Sequence, residues 1–136
     1  CRQLGDFESY GVAGAAMSLA FMENSDMDAA RKVLVDALGR SMDSGIDRAG
    51  LELLSAAGSY AVITKNGALA ATLYAAASSV RQSQGIPPDY AYGPYHQAKL
   101  QALRTFMDGD TFSSAWRKGN NLTLPKALSA ALKELH

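Results

Sequence analysis

The feature that most constrains this chain is the spacing of apolar residues in 49–82, AGLELLSAAGSYAVITKNGALAATLYAAASSVRQ, on both sides of Asn66-Gly67. Intervals of three and four residues place side chains on one face of an α-helix, whereas a half-buried strand alternates apolar and polar residues. Each arm carries two apolar stripes, so each helix must pack against two neighbours. Alanine favours helix and lets helix axes approach closely. The stretch predicts two helices folded back on each other at Asn66-Gly67, with the rest of the chain stacked on them.

The chain also carries a weak internal repeat with an offset of 40 residues. The shift keeps the helical register and aligns Asp26 with Asn66, Ala30 with Ala70, Val33 with Leu73, Leu34 with Tyr74 and Ala37 with Ala77. Repeats of this length are typical of helical solenoids, because one helix pair cannot bury its apolar faces alone. We expect an all-α, right-handed stack of antiparallel helix pairs, tetratricopeptide-like, with two pairs in residues 5–84.

Helical spacing and capping residues predict about seven helices and no strand. The expected helices are 7–23, 27–42, the two arms of the central hairpin, one from about 94 to 107, a short one over 111–118 and a last one capped by Thr123. Gly119 is expected to end the short helix as a left-handed C-terminal cap. Because proline lacks an N–H, Pro87-Pro88 predicts a Pro/Tyr linker over 85–94, followed by C-terminal capping helices over 95–136.

Composition limits the classes of function. The length of 136 residues, 48% of them hydrophobic, indicates a single globular domain, and no run approaches the roughly 18 apolar residues of a membrane span. Thirteen basic and thirteen acidic residues cancel, which disfavours nucleic-acid binding. Cys1 is the only cysteine, which suits a reducing cytoplasm. Since no initiator Met is present, we expect a piece of a longer chain.

No catalytic, metal or cofactor site is predicted. His96 has no second ligand at metal-binding spacing and is interpreted as an exposed residue in a first helical turn, and His136 as a terminal residue. No P-loop or dinucleotide-binding pattern occurs. The aspartates near helix starts are interpreted as caps. The serines have no His or Lys in a nucleophile pattern and are interpreted as helix-surface residues: Ser55, Ser78, Ser79, Ser113 and Ser114.

The least ordinary feature is a cluster of aromatic residues with polar tips near the Pro-Pro bend. Tyrosine and tryptophan are enriched at protein interfaces, so these side chains are candidates for an interaction surface. The candidate residues are Tyr74, Tyr90, Tyr92, Tyr95, His96, Trp116 and Arg117. In the structural alternative, the tyrosines hold the linker onto the preceding hairpin, Trp116 is the apolar plug of a C-terminal cap and Arg117 faces solvent.

Residues 66–132 carry a series of short motifs. They are Ala70-Ala71-Thr72-Leu73, Ala75-Ala76-Ala77, the linker Gly85-Ile86-Pro87-Pro88 and a closing phrase with Leu103-Arg104, Phe112, Ala115-Trp116, Gly119, Leu122-Thr123-Leu124 and Ala127. In this register the segment resembles the C-terminal tetratricopeptide-like region of large bacterial signalling ATPases and LuxR-type transcription regulators, including chains that begin with adenylate or guanylate cyclase domains. Tyr74, Asp108 and Lys126 depart from the family pattern.

The resemblance implies a regulatory interaction module, with ATPase and DNA-binding work done elsewhere in the parent protein. We therefore expect a non-catalytic, cytoplasmic module that binds another protein or upstream domains of its own chain. No cofactor, metal, membrane or direct nucleic-acid contact is expected. A homodimer through an uncapped N-terminal end is a further expectation. The alternative is a small-ligand sensor that regulates an upstream ATPase or DNA-binding domain.

Overall fold

The computed structural model describes residues 2–44, 47–86 and 93–135, and the side chains of 12–41, 49–86 and 93–135. Within these residues the chain forms seven helices and no strand, so the all-α prediction is confirmed. The helices are α1 (Arg2–Glu23), α2 (Met27–Ser44), α3 (Asp47–Ile63), α4 (Gly67–Gln84), α5 (Gly93–Phe106), α6 (Gly109–Asn120) and α7 (Leu124–Leu135). Of the helices so described, none has the length and apolar character needed to cross a membrane.

The α1–α2 and α3–α4 hairpins have the same turn, displaced by 40 residues. In the first turn the amides of residues 24, 25 and 26 donate to the carbonyls of 20, 22 and 21, and in the second turn the amides of 64, 65 and 66 donate to 60, 62 and 61. Ser25 and Lys65, at equivalent positions, have φ of 62° and 67°. Asp26 and Asn66 then cap the following helix by accepting from the amide three residues on. The repeat predicted from the sequence is therefore visible in backbone hydrogen bonds.

Helix α3 is the centre of the fold. It packs against α1 and α2 of the first hairpin and against α4, α5 and α7. Leu51, Leu53 and Leu54 point in different directions around this helix and are all fully buried. A helix that is apolar on several sides needs several neighbours, which is what the two stripes predicted.

The C-terminal helices pack on the second hairpin in an order that sequence spacing did not reveal. The main neighbour of α6 is α4, and α7 lies against α2, α3 and α4. Thr123 caps α7 as predicted, since its Oγ1 accepts from the amide of Lys126 at 3.4 Å. Gly85, after α4, has a left-handed backbone with φ of 65°, as do Ser25 after α1 and Lys65 after α3 with similar angles.

Gly119 corrects one prediction. It lies inside α6, which continues to Asn120 and is followed by Asn121 with φ of −95°. The predicted left-handed cap at Gly119 is therefore wrong. A Cβ at Gly119 would overlap the backbone oxygen of Thr72 in α4. The glycine is required because α4 and α6 approach closely there.

Candidate functional site

A buried polar network joins α3, α4 and α5. Ser59 Oγ lies 2.6 Å from the hydroxyl oxygen of Tyr74 and 2.7 Å from Nδ1 of His96. Ser59 is fully buried, and Tyr74 and His96 are less than a tenth exposed. When Nδ1 carries no proton, Ser59 donates to it and Tyr74 donates to Ser59, so each hydroxyl proton has an acceptor. A satisfied network of this kind fixes the orientation of the imidazole.

The local sequence makes room for the network. A Cβ at Gly58 would lie 2.9 Å from Cε1 of Tyr74, so the absence of a side chain at 58 lets the phenol ring lie flat against α3. Burial raises the pKa of Tyr74, an effect that the hydrogen bond with Ser59 reduces and Tyr95 reinforces. The phenol is therefore protonated at neutral pH and available as a donor.

A cavity of about 220 Å³ lies beside the network, between α3, α4, α5 and α6. Nη2 of Arg81 lies 3.5 Å from Oε1 of Glu52, and both side chains are less than a fifth exposed. Arg81 lines one side of the cavity and Trp116 another. The Trp116 ring stacks on Phe112, with ring centroids 5.6 Å apart. The lining residues are Ser55, Tyr74, Ala77, Ser78, Arg81, His96, Gln97, Leu100 and Trp116.

The structure brings three predicted interaction residues, Tyr74, His96 and Trp116, to this one cavity. Tyr95 lies next to it, edge-on to His96 with 5.7 Å between the ring centroids. It is partly buried against the main core, the larger cluster of buried apolar residues, which includes Leu19, Leu34 and Leu54. Burial, with a smaller effect of Glu23, raises the pKa of Tyr95. Arg117 is exposed and does not line the cavity.

The two remaining candidates, Tyr90 and Tyr92, lie outside the described residues. Whether the seven candidates form an interaction surface stays a prediction. Because Tyr74 and His96 are buried, a partner reaches them only through the cavity.

Two side-chain interpretations from the sequence are wrong. His96 is buried rather than exposed, because its ring nitrogen is bonded to Ser59 across the α3–α5 contact. Ser55 is 8% exposed and lines the cavity, so it is not a helix-surface residue. Ser59 is not among the residues predicted from the sequence. The one sequence signal for it is that a polar residue, Ser59, stands where the first copy of the 40-residue repeat has the apolar Leu19.

A serine within hydrogen-bond distance of a histidine is also the geometry of nucleophilic catalysis. A nucleophile must be reachable by substrate, and Ser59 is fully buried with its hydroxyl held by Tyr74. Ser59 also does not line the cavity. In this arrangement the hydroxyl of Ser59 holds the imidazole of His96 and is not accessible to a substrate.

A second, wider concavity of about 630 Å³ lies between α4, α6 and α7, and we call it the C-terminal groove. Its residues are Asn66, Ala68, Leu69, Thr72, Asp110, Thr111, Ser114, Ala115, Lys118, Leu122, Ala130 and Glu134. They combine small, apolar and charged side chains of both signs. None of the predicted interaction residues lines it. Across the described part of the chain, no group of three His, Cys, Asp or Glu residues is placed to hold a metal ion.

Comparison with known proteins leaves the resemblance to signalling ATPases and LuxR-type regulators a prediction. No protein-family model, curated protein or solved structure matches this chain.

Proposed function

We propose that this chain is a regulatory interaction module built as a right-handed, tetratricopeptide-like stack of helix pairs. The observation that carries the proposal is the repeated turn, together with the packing of α3 against both helices of the preceding pair. Stacked repeats of this kind bury a continuous core and offer extended surfaces to partners. The resemblance to bacterial signalling ATPases and LuxR-type regulators favours a partner that is another protein or an upstream domain of the same parent.

The C-terminal groove is the surface that fits such a partner best. Leu69 and Leu122 provide apolar contact area, while Asp110, Lys118 and Glu134 provide charges of both signs. Grooves of this composition accept a helix or an extended segment through a few apolar anchors with polar contacts at the rim. We therefore place protein binding at the groove and not at the buried Tyr74 and His96.

Site-specific photo-crosslinking tests this assignment. Ser114 lines the groove and its neighbour Ser113 does not, and both are exposed. A photoreactive phenylalanine analogue at Ser114, in the protein expressed in the cells that make it, should give a discrete crosslinked species identifiable by mass spectrometry. The same analogue at Ser113 is the matched control. Equal crosslinking from both positions, or none from Ser114, would reject the groove as the binding face.

The cavity beside His96 favours a second candidate, a small-ligand sensor. Residues of four helices line it, so a bound ligand would bias their relative packing and thereby regulate the parent protein. A ligand at a hundred times its dissociation constant stabilises the folded state by about 2.7 kcal/mol, which raises the melting temperature by several degrees. A thermal-shift screen against a broad metabolite panel measures this directly. A panel without a hit counts against the sensor and leaves the protein-binding proposal in place.

A further inference from the structure

The internal repeat shows that apolar residues occupy the equivalent positions of the polar network in the first hairpin. A shift of 40 residues places Ser59 on Leu19 and Tyr74 on Leu34. Both leucines are buried in the main core, so two apolar side chains fill these positions in the first hairpin. The second hairpin has replaced that pair with hydroxyl groups that hold His96 at the edge of a cavity. Polar groups that packing does not require are candidates for recognition.

The cavity wall has two chemically different parts. Its polar part includes Arg81, Gln97 and His96, and its apolar part is formed mainly by Leu100 and Trp116. Arg81 is the only Lys or Arg among the lining residues, and Glu52 lies beside its guanidinium. A guanidinium presents planar N–H groups that match a carboxylate in geometry. Because Glu52 also pairs with this guanidinium, a ligand carboxylate would share Arg81 with Glu52, and Glu52 would repel the second negative charge of a phosphate more strongly than the single charge of a carboxylate.

We propose that this cavity binds a small organic monocarboxylate, with its carboxylate toward Arg81 and Gln97 and its apolar body against Leu100 and Trp116. The volume of about 220 Å³ is below the range of roughly 300–1,000 Å³ for drug-sized ligands, which limits the body to one ring or a short aliphatic chain. The inference rests on the sensor candidate above and names its ligand class.

The chain provides its own probe for the test. Trp116 is the only tryptophan, so fluorescence excited selectively at tryptophan, and not at the six tyrosines, reports on the cavity wall. Phenylacetate is titrated into the protein, and phenylacetamide, its neutral analogue of nearly equal shape, is the comparison ligand. We expect a saturable fluorescence change with phenylacetate and affinity at least about tenfold lower for phenylacetamide, because the amide lacks the charge that pairs with Arg81.

Gln97 allows the charge of the cavity to be changed at an exposed position. Gln97→Glu should weaken phenylacetate binding at least about fivefold by like-charge repulsion, whereas Gln97→Lys should keep or strengthen it. Gln101→Glu is the matched control, since Gln101 is exposed one turn further along α5 and does not line the cavity. It should change affinity by less than about twofold.

Three results would overturn the inference: no saturable change with phenylacetate, equal affinity for the amide, or equal affinity of the Gln97→Glu and Gln97→Lys proteins. The metabolite panel separates this failure from failure of the sensor. If neutral or cationic metabolites stabilise the protein and carboxylates do not, the sensor stands and the monocarboxylate assignment is wrong. If neither assay gives a response, both are rejected.

Discussion

The two helix hairpins have turns of the same geometry but differ in the residues that they bury between their helices. Each turn has the same backbone hydrogen bonds, a left-handed middle residue and a capping side chain, Asp26 or Asn66. Inside, the first hairpin buries Leu34, and the second buries Tyr74 at the equivalent place. Turn geometry and helical spacing therefore set the register of a hairpin, while the residues that face its partner helix are free to differ in chemistry.

The interiors also differ in what they contribute to stability. Full burial of a leucine side chain stabilises by about 1.5–3 kcal/mol, whereas a typical hydrogen bond contributes only about 0.5–1.5 kcal/mol net. The buried ring of Tyr74 contributes apolar area as Leu34 does, so the deficit of the second hairpin lies at Ser59, which buries little apolar surface where the first hairpin buries Leu19. The second hairpin is also the one on which α5, α6 and α7 all pack.

The largest effect is expected from placing the residue of the second hairpin into the first. In the second hairpin Gly58 leaves room for the tyrosine ring and Ser59 bonds its hydroxyl, but the equivalent residues of the first hairpin are Ser18 and Leu19. Leu34→Tyr therefore inserts a ring without that space and buries a hydroxyl without that partner. Overpacking and an unpaired buried hydroxyl together should cost about 3 kcal/mol or more of the free energy of unfolding, measured by urea denaturation.

Leu34→Met is the control for this substitution, since volume-conserving changes cost less than about 1.5 kcal/mol. If Leu34→Tyr were as stable as Leu34→Met, the two interiors would be interchangeable and the contrast drawn here would fail.

The reciprocal change is Gly58→Ser, which gives the second hairpin the residue of the first. The new Cβ would lie 2.9 Å from Cε1 and 3.1 Å from Cδ1 of Tyr74. We expect a loss of about 1–3 kcal/mol from overpacking. Combining it with Tyr74→Leu should relieve the clash, so a double-mutant cycle should show a favourable coupling of at least about 1 kcal/mol. Strictly additive losses would mean that Gly58 is not there for the ring.

The residues whose environment is local were predictable from sequence. Apolar spacing gave the helices because side chains three and four residues apart share a face, and Asp26, Asn66 and Thr123 act on amides three residues away. The 40-residue repeat was also predictable from the sequence, because it preserves both the apolar spacing and the capping residues.

The residues whose environment depends on which helices meet were not predictable. His96 is buried because Ser59, 37 residues earlier, lies opposite it. Gly119 follows helix-forming residues and so looked like a cap, but its role comes from the backbone of Thr72. Neither contact leaves a trace in local spacing, and the packing of α6 on α4 likewise had no signal. The cavity, which depends on four helices at once, was therefore absent from the sequence prediction, although three of its residues were named.

The buried phenol should make stability depend on alkaline pH. Burial raises the pKa of Tyr74 in the folded state, so above about pH 10 the unfolded chain releases a proton that the folded chain keeps. This contribution is present below about pH 10 and is lost as pH rises toward the higher folded value, by up to about 1.4 kcal/mol per pH unit. Tyr74→Phe should lose about 1 kcal/mol at neutral pH with the hydrogen bond and show a shallower alkaline decline.

Urea denaturation at pH 8, 10 and 11 measures both effects. Leu34→Met removes no titrating group and should keep the alkaline slope of the parent protein. An unchanged slope in Tyr74→Phe would show that other groups, such as Tyr95, determine the alkaline loss.

The smallest effects should come from the feature that the hairpins share. Asp26→Ala and Asn66→Ala each remove a side chain that accepts from the amide three residues on, at 3.2 and 3.4 Å, and each should cost about 1 kcal/mol. Because the turns have the same geometry, the loss for Asp26→Ala should exceed that for Asn66→Ala only by the interaction of the Asp26 charge with the α2 dipole, up to about 0.5 kcal/mol, and the two losses should add in the double variant. The two capping side chains differ in charge, since Asp26 has a carboxylate and Asn66 a neutral amide. Asn66→Asp should gain up to about 0.5 kcal/mol from the α4 dipole, and Asp26→Asn should lose a similar amount. Alanine losses that differ by clearly more than about 0.5 kcal/mol would place the difference between the hairpins in their turns as well as in their buried residues.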